Sequence, residues 1–190
     1  MNVIERAKNL IVQPKQEWAA IDAEPHTVQG LYTQYVMILA AIPAVASFVG
    51  YSLVALGVLR VPFAAGLAYM VLSYVLSLAA VYVAALAIDV LAPQFGGQRS
   101  FTQAFKVAAF FPTAAWVAGI VAVIPLLAII ALVGTLYTFY LLFLGLPMLM
   151  RVPQDKAVPY FAVVLVAIIV LGAVIAGISG LAIPARVRGF

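Results

Sequence analysis

The stretch VAAFFPTAAWVAGIVAVIPLLAIIALVGTLYTFYLLFLGLPMLM, residues 107–150, decides the fold because its 44 residues include no charge. As one continuous helix it would be about 66 Å long, since an α-helix rises about 1.5 Å per residue. The hydrocarbon core of a bilayer is only about 30 Å thick. The stretch therefore predicts two membrane-spanning helices joined by a turn at Pro125, because proline removes a helical hydrogen bond and clashes with the preceding turn.

The rest of the chain is also strongly apolar. Of its 190 residues, 67% are hydrophobic and only 8% are charged, whereas about a quarter of the residues in soluble domains are charged. Three more apolar runs are long enough to cross a bilayer. We therefore predict an all-α polytopic membrane protein, with a five-helix transmembrane bundle over residues 31–190 that follows a short amphipathic cytoplasmic segment over residues 1–30. The spans are predicted near residues 31–57, 63–89, 104–124, 126–150 and 158–182.

The basic residues predict the orientation of the spans. With the N-terminus in the cytoplasm, seven of the ten lie inside and only Arg60, Arg186 and Arg188 lie outside, as the positive-inside rule requires. A four-span arrangement, in which residues 107–150 cross once, gives the same split, so length rather than charge favours five spans. We predict a bacterial inner membrane protein with its N-terminus in the cytoplasm and its C-terminus outside. This placement also accounts for the net charge of +4, so we expect no nucleic-acid partner.

The N-terminal segment MNVIERAKNLIVQPKQEWAAIDAEPHT, residues 1–27, combines charges with apolar residues at helical spacing. Ile4, Ala7 and Ile11 recur at that spacing, and Trp18 and Ile21 follow three residues apart. The segment lacks the basic start and apolar core of a signal peptide, so we expect it to remain on the protein. It predicts short amphipathic helices that lie on the inner leaflet, with Trp18 and Ile21 at the interface, or that pack on the chain's own cytoplasmic face. The pattern leaves both alternatives open.

The second span ends in LAIDVLAPQFGG, residues 86–97, where one carboxylate precedes a proline and two glycines. Pro93 and the glycines break the helix, so Asp89 is expected near the cytoplasmic boundary rather than at the centre of the bilayer. An unpaired buried charge is costly, and three cations lie on the same side: Arg99, Lys106 and Arg151. We predict that Asp89 is an ionised anchor that pairs with this group of cations. The alternative is a proton-relay acid.

The last span contains small residues at every fourth position, Gly172, Ala176 and Gly180. Such a stripe lets two helix backbones approach closely in lipid, where packing replaces the hydrophobic effect. It predicts a close helix contact, which we place within the chain rather than at the seam of a homo-oligomer.

The segment YLLFLGLPMLMRVPQDKAVPY, residues 140–160, carries a family resemblance. Its succession Gly145, Pro147, Leu149, Pro153, Lys156 and Ala157 resembles the bacterial branch of the Yip1 family, small five-span membrane proteins. QPKQEW with Ile21 is similar to the N-terminal pattern of that branch, and DVLAP, residues 89–93, is similar to the Asp-Leu-Tyr-Gly-Pro motif of eukaryotic members at Asp89 and Pro93. The resemblance implies the five-span fold and its membrane topology. Eukaryotic members also bind Rab-type GTPases, but the long cytosolic N-terminal region of those proteins is absent here.

The residue inventory argues against catalysis. The chain has no cysteine and one histidine, His26, and it contains no recognisable nucleophile–base pair or phosphate-binding loop. We predict no enzymatic activity, no cofactor and no metal site. The leading interpretation is a membrane protein that contacts lipid and organises or recruits protein partners at its cytoplasmic face. The alternative is a small transporter or channel with a path lined by hydroxyl-bearing residues of the second and fourth spans: Tyr74, Ser77, Tyr82, Thr135, Tyr137 and Tyr140.

Overall fold

The computed structural model describes residues 2–54, 60–124 and 127–181, and all regular structure within these ranges is helical. Two short helices, α1 (Val3–Val12) and α2 (Pro14–Ala23), precede five long apolar helices in this part of the chain. The long helices are span 1 (Val28–Val54), span 2 (Phe63–Phe95), span 3 (Phe101–Val123), span 4 (Ile129–Leu149) and span 5 (Gln154–Gly180). The predicted all-α bundle of five membrane-spanning helices is confirmed. The turn predicted at Pro125, and the arginines Arg186 and Arg188, lie outside the described residues.

Local signals in the sequence set the ends of the N-terminal helices. The Asn2 side chain accepts hydrogen bonds from the backbone N–H groups of Ile4 and Glu5, at 3.1 and 3.3 Å, and so caps α1. Pro14 is the first residue of α2, where its missing N–H leaves no hydrogen bond unmade. Only Gln13 separates the two helices, and they pack against each other.

Span 3 is the most buried of the five spans and is broken near its middle. Its α-helix stops at Phe110 and resumes at Thr113, because Pro112 has no backbone N–H with which to continue the helix. Thr113 Oγ1 donates to the Phe110 carbonyl at 2.6 Å, and the Ala115 N–H donates to Thr138 Oγ1 of span 4 at 3.0 Å. Side-chain hydroxyls therefore pair backbone groups at the break, as the hydrocarbon environment requires.

The spans differ in how much protein surrounds them. Spans 1, 2 and 4 pack around span 3, whereas span 5 packs mainly on span 2 at the edge of the bundle. In the most apolar stretch of span 3, 56% of the residues are buried by the rest of the chain. In the corresponding stretch of span 5, only 6% are buried. Span 5 is therefore the span that the rest of the described chain covers least.

Within the described residues, the small residues of span 5 do not form the predicted contact. No atom of the described residues lies within 4 Å of a Cβ atom placed on Gly172 or Gly180, and Ala176 is exposed. The buried apolar residues of span 5 are Ala157 and others of its first half. Within the described residues the predicted intramolecular seam at this stripe is therefore not seen, and the one buried side chain beside it is Ser179.

The N-terminal helices close one end of the bundle. α2 packs against span 4, and α1 packs against span 3. Leu10, Trp18 and Ile21 have no exposed surface. The contacts therefore match the alternative in which the segment packs on the chain itself, and Trp18 and Ile21 do not lie at a lipid interface.

Candidate functional site

Most charged side chains of the described chain gather at one end of the bundle, which we call the polar end. It consists of α1, α2, the loop of residues 96–100 between spans 2 and 3, and the loop of residues 150–153 between spans 4 and 5. The ion pairs of Arg6 join α1 to the α2 segment, and hydrogen bonds join α2 to the second loop and the two loops to each other. The polar end therefore collects the sequence motifs that were predicted to matter.

Trp18 lies against the backbone of span 4 at Gly145. A Cβ atom on Gly145 would come within 2.7–2.9 Å of three ring atoms of Trp18. Phe110 of span 3 meets the indole edge-on, with ring centroids 6.5 Å apart. Two residues that belong to separate motifs thus form one contact, and this contact fixes α2 to the bundle.

Lys106 of span 3 holds the C-terminal end of α2. Its ammonium group donates to three carbonyl oxygens, those of Ile21 (2.9 Å), Asp22 (3.2 Å) and Glu24 (2.8 Å), and its side chain is buried. The last carbonyls of a helix lack partners within the helix and carry the negative end of its dipole. An ammonium group has three donors, so Lys106 uses all of them to cap α2.

Asp22 joins α2 to two other segments. Its carboxylate accepts hydrogen bonds from Gln103 Nε2 at 3.0 Å and from Arg151 Nη2 at 2.8 Å. Gln103 belongs to span 3, and Arg151 belongs to the loop that follows span 4. The Arg151 side chain is 53% exposed, so water screens its ion pair and leaves most of the guanidinium accessible.

Asp89 lies buried at the end of span 2 and pairs with Arg99. Arg99 Nε donates to Asp89 Oδ2 at 3.1 Å, and the arginine side chain is 69% exposed. Asp89 Oδ1 has no hydrogen-bond partner among the described residues. Of the three cations predicted nearby, Arg99 contacts Asp89, whereas Lys106 and Arg151 bind α2 instead.

The two loops of the polar end are hydrogen-bonded to each other. The Gln98 N–H donates to the Met150 carbonyl at 2.8 Å. Gly97 approaches Val152 so closely that a Cβ atom on the glycine would come within 2.6 Å of it. Gly96 turns the chain at the end of span 2 with a φ of 75°, in the left-handed region that favours glycine. The glycines after DVLAP therefore permit contact with GLPMLMRVP, and the two motifs form one unit.

The remaining predicted positions shape or border these loops. Pro93 lies in the short 3-10 turn Ala92–Phe95 that ends span 2, and the Pro147 carbonyl accepts from the Val152 N–H at 3.1 Å. Pro153 directly precedes span 5, and Lys156 is exposed in the first turn of that span. The prolines thus set the path of the backbone, and Lys156 presents a charge to solvent.

Sequence reasoning misses a buried ion cluster in the N-terminal segment. Arg6 of α1 forms ion pairs with Glu17 of α2 and with Glu24, and the Arg6 and Glu17 side chains are only 11% exposed. Burial alone would lower the pKa of Arg6, but its bonds to Glu24 and Glu17 raise that pKa above its ordinary value. The hydrogen bond from Arg6 in turn lowers the pKa of Glu24. The signal for this cluster in the sequence was that positions 1–27 contain one arginine and four acidic residues with which it could pair.

The segments that build the polar end lie within a known domain. The Yip1 domain matches residues 8–176, from within α1 to within span 5. This chain belongs to the Yip1 family. The match includes Trp18, DVLAP and GLPMLMRVP, on which the family resemblance rested, so that prediction is confirmed.

This Yip1-family protein also resembles a curated bacterial protein. It is 30% identical over 159 residues to the inner membrane protein YohC of Escherichia coli (strain K12), and the alignment covers 80% of this chain and 82% of YohC. YohC from a second Escherichia coli strain matches to the same extent. No solved structure matches the chain. Together with the five apolar helices, the relationship supports an integral protein of the inner membrane.

Of the six hydroxyl-bearing residues predicted to line a path between spans 2 and 4 of this Yip1-family protein, four make hydrogen bonds within the fold. These four donate to backbone carbonyls, in the pairs Tyr74 with Met37, Ser77 with Tyr74, Thr135 with Ala131, and Tyr137 with Ile11. Tyr82 and Tyr140 lie on the outer surface, 46% and 42% exposed. Span 2 packs mainly against spans 1, 3 and 5, and span 4 packs mainly against span 3 and α2. These contacts give no support to a transport path between spans 2 and 4.

The polar end of this Yip1-family protein offers charged groups rather than a metal site. Within residues 2–54, 60–124 and 127–181, no cluster of three or more His, Asp or Glu side chains is placed to hold a metal ion. His26 Nε2 lies 3.0 Å from Glu24 Oε2. The contacts described at this end are charge pairs and hydrogen bonds.

Proposed function

We propose that this Yip1-family protein organises or recruits a protein partner at its polar end and catalyses no reaction. The observation that carries the proposal is the fixing of α2 at two points, in its middle by Trp18 on Gly145 and at its C-terminal end by Lys106 on its last carbonyls. A surface that is already ordered loses little conformational entropy when it binds. In this proposal the motif residues hold the surface in shape, and the exposed side chains around them contact the partner.

The exposed charges of the two loops indicate the chemistry of that partner. Arg99 and Arg151 are 69% and 53% exposed, and Lys156 is exposed beside them at the start of span 5. The loops that carry them are joined by the bond from Gln98 to Met150. We infer an acidic surface on the partner, because complementary charge steers encounter and selects among partners.

The proposal places the polar end in the cytoplasm and the C-terminus outside. In this arrangement all six acidic residues and seven of the ten basic residues lie on the cytoplasmic side, as the distribution of basic residues in inner membrane proteins favours. Reporter fusions at the two termini test it. We expect a cytoplasmic signal from the N-terminal fusion and an external signal from the C-terminal one.

Photo-crosslinking in native membranes tests partner binding. A photoreactive amino acid at the exposed position Gln98 should give a discrete crosslinked product, and Lys156→Glu should reduce its yield several-fold by opposing the charge of the partner. The matched control is Arg60→Glu, which changes an exposed arginine in the connection between spans 1 and 2 and should leave the yield unchanged. Equal losses in the two variants, or no product at all, would contradict recruitment at the polar end.

A further inference from the structure

α1 keeps a second apolar surface that the bundle does not cover. Ala7 and Leu10 pack inward, but Ile4 is 81% exposed and Val12 is 64% exposed. Lys8 lies midway between them along the chain, so the three side chains form one strip along the outside of α1. Apolar surface of this kind is unfavourable in water, and a strip on a membrane protein is stable when lipid covers it.

The strip borders a groove between α1 and span 1. The groove has a volume of about 800 Å³, within the roughly 300–1,000 Å³ that is typical of small-molecule sites. Its apolar walls are formed by one face of α1 that includes Ile4 and Val12, by Ile38 and Ile42 of span 1, and by Val117 of span 3. Asn2 and Lys8 supply its polar groups.

The walls of the groove are held by contacts made elsewhere on α1. Tyr137 of span 4 donates to the Ile11 carbonyl at 2.8 Å, and Arg6 pairs with Glu17 and Glu24 on the other side of the helix. These bonds join α1 to span 4 and to the α2 segment, and so hold the α1 wall of the groove in place.

The position and charge of the groove point to lipid as its occupant. Ile38 is 51% exposed on a membrane-spanning helix, so the groove opens toward hydrocarbon. Lys8 is the one basic side chain among the residues that line the groove. Lys8 is exposed and forms no ion pair with any residue in the described ranges. A lysine whose stem follows apolar surface and whose ammonium reaches the interface is suited to a phosphate group.

We propose that this groove binds one phospholipid molecule, with an acyl chain between α1 and span 1 and the headgroup phosphate at Lys8. The site is separate from the proposed partner surface, since none of its residues belongs to the loops 96–100 and 150–153. It makes α1 a lipid-contacting element on one side and a packed helix on the other.

A phospholipid with a photoactivatable acyl chain, in nanodiscs that contain phosphatidylglycerol, tests the proposal. Mass spectrometry then maps the labelled residues on the full chain. We expect labelling at Ile38 and Ile42 to exceed labelling at Val166, which is 60% exposed on span 5 and reports the bulk lipid. Equal labelling at the three positions would mean that the groove meets only bulk lipid, and the proposal would be wrong.

Two variants separate specific binding from general lipid contact. Lys8→Glu should lower labelling at Ile38 and Ile42 about fivefold, the equivalent of roughly 1 kcal/mol for one basic residue near an anionic surface. The matched control Lys15→Glu changes an exposed lysine of α2 that does not line the groove, and it should leave labelling unchanged. Ile42→Trp should fill the groove and lower labelling at Ile38 while Lys8 is intact. Unchanged labelling in either Lys8→Glu or Ile42→Trp would overturn the proposal.

Discussion

Gly145→Ala is expected to loosen the N-terminal helices because its methyl group would occupy space that Trp18 fills. The new Cβ would lie 2.7–2.9 Å from three atoms of a rigid ring, and Trp18 has no exposed surface into which it could move. Overpacking a core in this way costs about 1–3 kcal/mol. Replacing glycine by alanine inside a helix recovers up to about 1 kcal/mol. The net expectation is a destabilisation of about 1 kcal/mol.

The sign of this effect should depend on Trp18. In a Trp18→Ala background the ring is gone, so Gly145→Ala should become neutral or stabilising by up to about 1 kcal/mol. The difference between the effects of Gly145→Ala in the two backgrounds is the interaction energy between Trp18 and the new methyl group, because the separate effects of the two single changes cancel in the cycle. Gly172→Ala is the matched control, since a Cβ atom there meets no described atom within 4 Å, and it should not destabilise the protein in either background.

Unfolding in detergent, followed by circular dichroism, measures the four free energies of this cycle. Emission from Trp18 in a Trp116→Phe background reports separately on the undocking of α2, because the chain has only two tryptophans. Gly145→Ala should shift that emission toward the red as the indole meets water. The reasoning is refuted if Gly145→Ala has the same effect on stability with and without Trp18.

Three further expectations follow from the polar end. Lys106→Met should destabilise the docking of α2 by about 1–3 kcal/mol, because it leaves buried carbonyls without a donor. The chain has no cysteine, so a single Ala7→Cys substitution can serve as a reporter. Its labelling by maleimide should become faster in the Lys106→Met variant. Arg99→Gln should destabilise the protein more than Asp89→Asn does, since the first change leaves a buried carboxylate unpaired whereas the second leaves an arginine that is 69% exposed; a larger effect of Asp89→Asn in thermal unfolding would contradict this order. Docking should also weaken as the pH falls: the bond from Arg6 lowers the pKa of Glu24 from an ordinary 4.5, and burial lowers the pKa of His26 from an ordinary 6.5 despite the nearby Glu24. A group whose pKa is lowered by folding stabilises the folded state above its ordinary pKa, and this stabilisation is lost as the pH falls through the lowered pKa. Emission from Trp18 should therefore shift to the red in two steps as the pH falls, one for His26 and one for Glu24. Glu24→Gln should remove the step at lower pH.

Composition and spacing were sufficient to predict the membrane architecture. A run of 44 uncharged residues is too long for one crossing and long enough for two. Span 4 lies within this run, and span 3 begins six residues before it and ends inside it. Hydrophobic length can be read along the chain because each residue contributes to membrane insertion nearly independently of its distant neighbours. The Yip1 resemblance was also available from local succession, at DVLAP and GLPMLMRVP.

The candidate site was only partly predictable. Asp89, Lys106, Gly145 and Arg151 were recognised as positions of interest, and Arg99 was correctly named among the partners of Asp89, but the partners of the other three were not recognised. Lys106 was expected near Asp89 and instead caps α2, where three backbone carbonyls converge. Spacing cannot reveal such a cap, because the carbonyls belong to residues more than 80 positions away and carry no sequence signature.

By itself, the sequence determined that this chain forms five membrane-spanning helices with its charges at the ends, because the thickness and low polarity of the bilayer act on every segment in the same way. Only the tertiary structure decided which surfaces face protein and which face lipid. Trp18 turned out to be buried on Gly145, and the stripe at Gly172 turned out to be open. In the sequence, each pattern is compatible with a surface that faces protein and with one that faces lipid. A small residue permits the close approach of another helix, but it does not determine whether a helix lies there.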